Sequence, residues 1–330
     1  MNKVLAVAAA LALLGLGIGA SANITIDTVA VGNAGNAADT LTGYGAVGYN
    51  YSIGKYEVTA GQYTAFLNAK AVTDTYGLYS AAMDMGFHYT GCGIKQTGTS
   101  GSYSYSIASD LADRPVNCVS YWDACRFANW LSNGQGNGST ETGAYTLGGY
   151  KGIDGRAIQR NAGATWAVTS EDEWYKAAYY KGGSTSAGYW LYPTSSNAAP
   201  GQDMADASGN NANYYTAPYA YPIDSGRYFT AGGEFQDSDS PYGTFDQGGN
   251  VWEWNEAVTS ISGGYAYRGL RGGSFLSNSS DLRALSRGYN EPSYELGYFG
   301  FRVSYVPEPS SIIALAGGLV GILGIRRRRA

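Results

Sequence analysis

Histidine occurs once in this 330-residue chain and cysteine three times, and charged residues make up only 14% of it. His88 alone excludes an iron site built from several imidazoles, and a single loop histidine supports no Ser/His/Asp triad. No glycine-rich phosphate loop is present. Three cysteines allow one disulfide at most and leave one free thiol. Cys118 stands on a predicted strand and Cys125 on the helix after it, with Cys92 in the segment Thr90-Gly91-Cys92-Gly93-Ile94, so pairing among the three is open. No cysteine follows Cys125, and no long internal repeat occurs.

Long apolar runs occur only at the two ends. Lys3, the run Val4 to Ile18 and then Ala20-Ser21-Ala22 have the order of a secretory signal, with cleavage expected before Asn23. The chain closes with Pro307-Glu308-Pro309, an apolar stretch from Ser310 to Ile325, and Arg326 to Arg329. As a helix that stretch reaches roughly 24 Å, short of a hydrocarbon core of about 30 Å. The arginines behind it are expected to stay cytoplasmic. This ending resembles the PEP-CTERM sorting signal of Gram-negative bacteria. The resemblance implies an exosortase as partner during export, transient inner-membrane anchoring through residues 307–330, and display or release outside the cell.

Removing both ends takes Lys3 and four arginines from 21 basic residues and Glu308 from 26 acidic ones, leaving 16 against 25 in residues 23–306, a net of about −9. That balance argues against nucleic acid or an anionic membrane surface as partner. What is abundant is glycine, at 48 residues, and tyrosine, at 30. Little charge with much Tyr, Gly and Ser suits an extracellular, loop-rich body.

Three helices are legible between these ends. Thr59 with Gln62 has capping-box spacing before a helix from Ala60 to about Ala69, with Tyr63, Phe66 and Leu67 on one face. Trp122 to Ser132 is a second helix, its apolar face formed by Ala124, Phe127, Ala128 and Leu131. Ser170 with Glu173 caps a third, running to about Tyr180 and ended by Gly182-Gly183. Strands are expected at Ile24 to Ile26, Tyr51 to Thr59, Tyr103 to Ile107, Arg114 to Ser120, Thr165 to Val168, Tyr267 to Phe275 and Gly300 to Tyr305. Leu78 to Asp113 reads as a long polar insertion, and Ser184 to Ser240 shows little regular structure.

The chemically densest stretch is Tyr242 to Trp254. Gly248-Gly249 frees the backbone for positive φ or close approach. Asp246 and Glu253 offer hard oxygen ligands, with carbonyls of a bent backbone between them, which suits Ca²⁺. A tight turn leading into a buried aromatic strand fits the same residues.

Five segments now stand in a familiar order: Ile53-Gly54-Lys55-Tyr56-Glu57-Val58-Thr59, Arg114 to Ser120 with its helix, Val168-Thr169-Ser170-Glu171-Asp172-Glu173-Trp174, Gly249 to Trp254, and Arg271-Gly272-Gly273-Ser274-Phe275 with Gly300-Phe301-Arg302. Together they resemble the formylglycine-generating-enzyme (sulfatase-modifying factor) domain family, over about residues 45 to 306. The resemblance implies a single α+β domain across residues 23–306, low in regular secondary structure and related to C-type-lectin-like folds. It implies a structural calcium ion held by Asp246, the carbonyls of Gly249 and Val251, and Glu253, and makes calcium the better reading of the Asp246 loop. A second calcium site would start from Asn213 and the carbonyl of Tyr214, but its downstream aspartate has no counterpart at a matching place. Enzymes of this family bind copper through two cysteines shortly after the Gly-Gly-Ser-aromatic motif. Here Ser277 stands in the first position and no cysteine follows, and a hydroxyl does not replace a Cu(I) thiolate. Copper is not expected.

The expected function is therefore an exported, non-catalytic binding or structural module at the cell surface or outside the cell. Exopolysaccharide or a surface protein is the expected partner. The alternative is an oxidoreductase of the formylglycine-generating type, or a diverged enzyme in the same pocket using Ser277, Asp281, Arg283 and Arg287.

Overall fold

Thr59, Ser120 and Ser170 each accept a hydrogen bond from the backbone N–H three residues on. The side chains of Gln62, Asp123 and Glu173 accept in return from the N–H of the capping residue. Each cap contributes on the order of 1 kcal/mol, and the three set where the helices begin: α1 (Ala60–Lys70), α2 (Tyr121–Ser132) and α3 (Glu171–Tyr179). The computed structural model describes residues 23–86, 90–216, 228–259 and 262–307. The expected secretory signal, His88 and all of the sorting tail after Pro307 lie outside the described residues.

Among the described residues ten short strands accompany the helices: β1 (Thr28–Val31), β2 (Tyr51–Gly54), β3 (Lys95–Thr97), β4 (Ser104–Ser106), β5 (Trp166–Val168), β6 (Trp252–Thr259), β7 (Tyr267–Arg271), β8 (Gly288–Asn290), β9 (Phe299–Phe301) and β10 (Val303–Tyr305). One sheet has the order β1-β2-β10-β5, so the last strand lies between two early ones. A second has the order β8-β7-β6-β9, with β9 parallel to β6, and β3 and β4 pair as a hairpin. The expected α+β class with little regular structure is observed.

The core gathers on α2, whose residues from Tyr121 to Leu131 are all buried, polar ones included. Arg126 donates from Nε to Glu141 at 2.8 Å, and the Asn129 amide bonds the backbone of Thr140 and Tyr145. Phe127 packs edge-on against Phe66 of α1 and Phe301 of β9. Trp254 of β6 packs against Tyr121 and Phe299 and donates its indole N–H to the carbonyl of Val119.

Three expectations are corrected. Ile24 to Ile26 forms no strand; its backbone is held by amide side chains, Ile24 by Gln135 and Thr25 by Gln62. Arg114 to Ser120 is not a strand either. Thr59 and Pro115 make an isolated bridge, and Cys118 then turns left-handed at φ 55°, which breaks the pleat. The stretch Leu78 to Asp113 is no mere surface loop, because Met83, Cys92, Ile94 and Tyr105 enter the main core. All three cysteines are free and buried. Among the described residues, no helix is long and apolar enough to cross a membrane.

Candidate functional site

The loop before β6 is a crossing point for distant backbone. Phe245 N–H donates to Lys55, Gly249 N–H to Gly272, and Asn250 N–H to Asn213, while the Asn250 carbonyl accepts from Phe275 N–H at 2.9 Å. Asp246, Gly249 and Asn250 all have left-handed backbone, at φ 61°, 92° and 56°. Gly249 needs to be glycine twice over, since a Cβ there would stand 2.1 Å from the Asn213 carbonyl oxygen.

The loop delivers Asp246, which is partly buried, and the buried Glu253 to one cluster with a third carboxylate, the buried Glu57, and the buried guanidinium of Arg302. Arg302 donates from Nε and Nη2 to the two oxygens of Glu253, both at 2.8 Å. It also donates to the carbonyls of Gly54 and Phe245. Glu253 accepts in addition from the Trp174 indole N–H at 2.8 Å. Glu57 stands 4.0 Å from Arg302, and its Oε1 is buried without a hydrogen-bond partner. Asp246 accepts from Gly233 N–H at 2.7 Å. Burial, and then the neighbouring Asp246 carboxylate, push Glu57 well above the usual carboxylate range. Burial pushes Asp246 up to about 6, although the Gly233 N–H and Arg302 oppose it.

Three carboxylates against one guanidinium leave two negative charges in excess, which a buried site sustains only with protons or a cation. Among the described residues no three acidic, imidazole or thiol side chains converge tightly enough to hold one unaided, so backbone carbonyls would have to complete the shell. Glu253 is the weakest ligand of the expected set. Three of its roughly four lone-pair positions are taken by Arg302 and Trp174. Glu57 was missed in the sequence, although it stands in the motif Ile53 to Thr59, because nothing local indicates that its charge is felt by Asp246.

Asn213 meets the same loop through its carbonyl, which accepts from the Asn250 N–H, and Tyr214 follows it. Asn213 donates from Nδ2 to the Tyr228 carbonyl and to Asn250 Oδ1, while its own Oδ1 is buried without a partner. The Tyr214 carbonyl is taken by the Gln202 amide.

Ser277, Asp281, Arg283 and Arg287 are held by separate sets of bonds. Ser277 closes a turn on Ser274: its Oγ accepts from Ser274 N–H at 3.1 Å, and its carbonyl accepts from Tyr215 N–H. Leu282 fills a small core with Tyr192, Ala212 and Tyr214. Asp281 N–H donates to the Asn278 carbonyl, and the Arg283 Nε is buried without a partner. Arg287 is drawn to Glu171 at the start of α3, donating from Nε at 2.7 Å and Nη2 at 2.8 Å. Arg271 donates from Nε to the same carboxylate at 2.9 Å.

Residues 41–305 match the family described as sulfatase-modifying factor enzyme 1-like domain, and residues 306–329 match the PEP-CTERM protein-sorting motif. No curated protein matches the sequence. Among solved structures, the crystal structure of CarF is 24% identical, covering 86% of this chain and 99% of that one, with a TM-score of 0.53. Treponema denticola variable protein 1 is 18% identical, covering 87% and 97%, with a TM-score of 0.47. PvdO from Pseudomonas aeruginosa is 22% identical, covering 81% and 83%, with a TM-score of 0.42. The likeness to CarF is one of fold.

Proposed function

The chain belongs to the sulfatase-modifying factor enzyme 1-like domain family and carries a PEP-CTERM sorting signal of the kind associated with exosortase processing, and from that premise we propose that it is an exported, non-catalytic module. It binds extracellular polysaccharide or a surface protein at the cell envelope, and a structural calcium ion holds its central loop.

The observation that carries the non-catalytic reading is the turn after Gly-Gly-Ser-Phe. Where the resemblance calls for the first reactive thiol, Ser277 stands instead, its Oγ accepting from the Ser274 N–H. A hydroxyl has no soft sulfur to offer a copper ion. The calcium reading is supported by the gathering of three carboxylates around Arg302 and by the unpartnered Oε1 of Glu57. When bound, the ion would supply positive charge to the cluster, and the residues that would hold it are Asp246 and Glu253 with the carbonyls of Gly249 and Val251, beside Glu57.

The direct test is to incubate the protein with copper, air and a cysteine-containing sulfatase-type peptide and to follow the peptide mass. No conversion of thiol to aldehyde is expected. Turnover would overturn the reading in favour of an oxidoreductase.

A further inference from the structure

We infer that the pocket between residues 24–27 and the start of α1 binds a small alkylammonium ion of the diamine or polyamine class. The pocket has a volume of about 550 Å³, within the range of small-molecule sites. Separate stretches of chain line it, and three of them each bring one carboxylate: Asp27, Glu57 and Asp113. Among the described residues no lysine, arginine or histidine lines it. Its walls are pinned by bonds between distant segments. Gln135 holds the backbone of Ile24, Lys55 N–H donates to the Asp27 carbonyl at 2.7 Å, and Gly232 N–H donates to the Asp113 carbonyl at 3.0 Å.

Glu57 sets this pocket apart from an exposed acidic patch. Its side chain is 1% exposed; Oε2 faces Arg302 at 4.0 Å, and Oε1 has no hydrogen-bond partner. A buried carboxylate oxygen without a donor is costly, and an ammonium N–H arriving in the pocket supplies one. An anion finds no such opening. The first three N–H groups of α1 already donate to the carbonyls of Arg114 and Ala112 and to Thr59 Oγ1. The Gln62 amide is spent as well, accepting from Thr59 N–H and donating to the Thr25 carbonyl.

The rest of the lining selects among cations. Ile24, Ile26 and Val58 add apolar surface beside the carboxylates. A bare metal ion makes no use of that surface, and among the described residues no three acidic side chains converge to hold one. Carboxylates brought in by separate segments suit charges spread along a chain instead. A primary ammonium donates three hydrogen bonds, and those to carboxylates are charge-assisted. The methylenes between two such groups cover the isoleucines and leave water.

The test is isothermal titration of protein purified from cells expressing the full chain with cadaverine and with spermidine, at an ionic strength of about 0.15 M, where long-range attraction is screened. Pentanediol and glutarate serve as comparisons without positive charge. Saturable one-to-one binding of at least one amine is expected, with none of the diol or the diacid. Asp27→Asn combined with Asp113→Asn, both at exposed side chains, should weaken it about tenfold. Glu57→Gln should weaken it too, and Asp203→Asn, at an exposed aspartate outside the lining, should leave it unchanged. Saturating calcium should leave the amine bound. Equal affinity of wild type and the double variant overturns the site. Displacement of the amine by calcium places it in the Arg302 cluster and overturns the pocket. Binding of the diol or of glutarate as tight as that of the amines overturns the ligand class, and no saturable binding of either amine overturns both site and ligand.

Discussion

Arg302 and Glu253 form a bidentate pair at 2.8 Å with side chains 0% and 1% exposed, joining the end of β9 to β6 at the centre of the domain. Removing one partner leaves the other charge buried and uncompensated, which costs about 3–5 kcal/mol. Arg302→Ala and Glu253→Ala should each lower the melting temperature by roughly 6 °C or more, taking about 2–4 °C per kcal/mol for a domain of this size. Arg302→Lys should not rescue, since a lysine lacks the fork that also reaches Gly54 and Phe245. Thermal unfolding followed by circular dichroism checks all three.

The calcium proposal predicts a chelator-sensitive fold. An ion bound only by the native state stabilises it by mass action, by about 2.7 kcal/mol at one hundred times the dissociation constant. Chelation should lower the melting temperature and added calcium should restore it. In Glu57→Gln the difference between the two conditions should shrink. Superimposable melting curves with calcium and with chelator would rule out a bound structural ion.

Asp123 and Glu295 predict a pH dependence away from that cluster. Burial raises Asp123 to about 6 despite its bonds to Ser120. Burial, and then Asp123, raise Glu295 to about 7. Both folded values lie above unfolded ones near 3.9 and 4.3. Between those limits the native state therefore binds more protons than the unfolded chain. The stability these groups contribute is fully present below about pH 4 and is lost as pH rises through about 7. Unfolding measured from pH 4 to 8 should show this fall, and Glu295→Gln should flatten its upper part. A slope unchanged by that substitution would remove Glu295 as its source.

The cysteines predict silence toward thiol reagents. Cys92, Cys118 and Cys125 are buried, and burial pushes Cys92 up to about 11 and the other two higher still. Thiolate is the reactive form, so an aromatic disulfide reagent at pH 8 should titrate no thiol in the native protein and all three in denaturant. Rapid reaction without denaturant would show that this part of the core opens.

The helices, the turn chemistry and the missing thiols were legible because each is written within a few residues. Thr59 with Gln62 and Ser170 with Glu173 make their bonds at a spacing of three, and the serine at position 277 needs no fold to be recognised as a serine. The order of the five segments pointed to the family and hence to the α+β fold. Only the tertiary structure decided which charges meet. Antiparallel pairing of β2 with β10 brings the segment holding Glu57 against Arg302 from the opposite end of the domain, with Asp246 and Glu253 arriving from a third place. Tyr289 and Tyr267 likewise stack only because the pairing of β7 with β8 sets Tyr289 opposite Gly269, two residues from Tyr267. Hydrogen bonds between near neighbours leave a mark in residue spacing. Burial of distant charges is set by how strands pair, and no local pattern carries it.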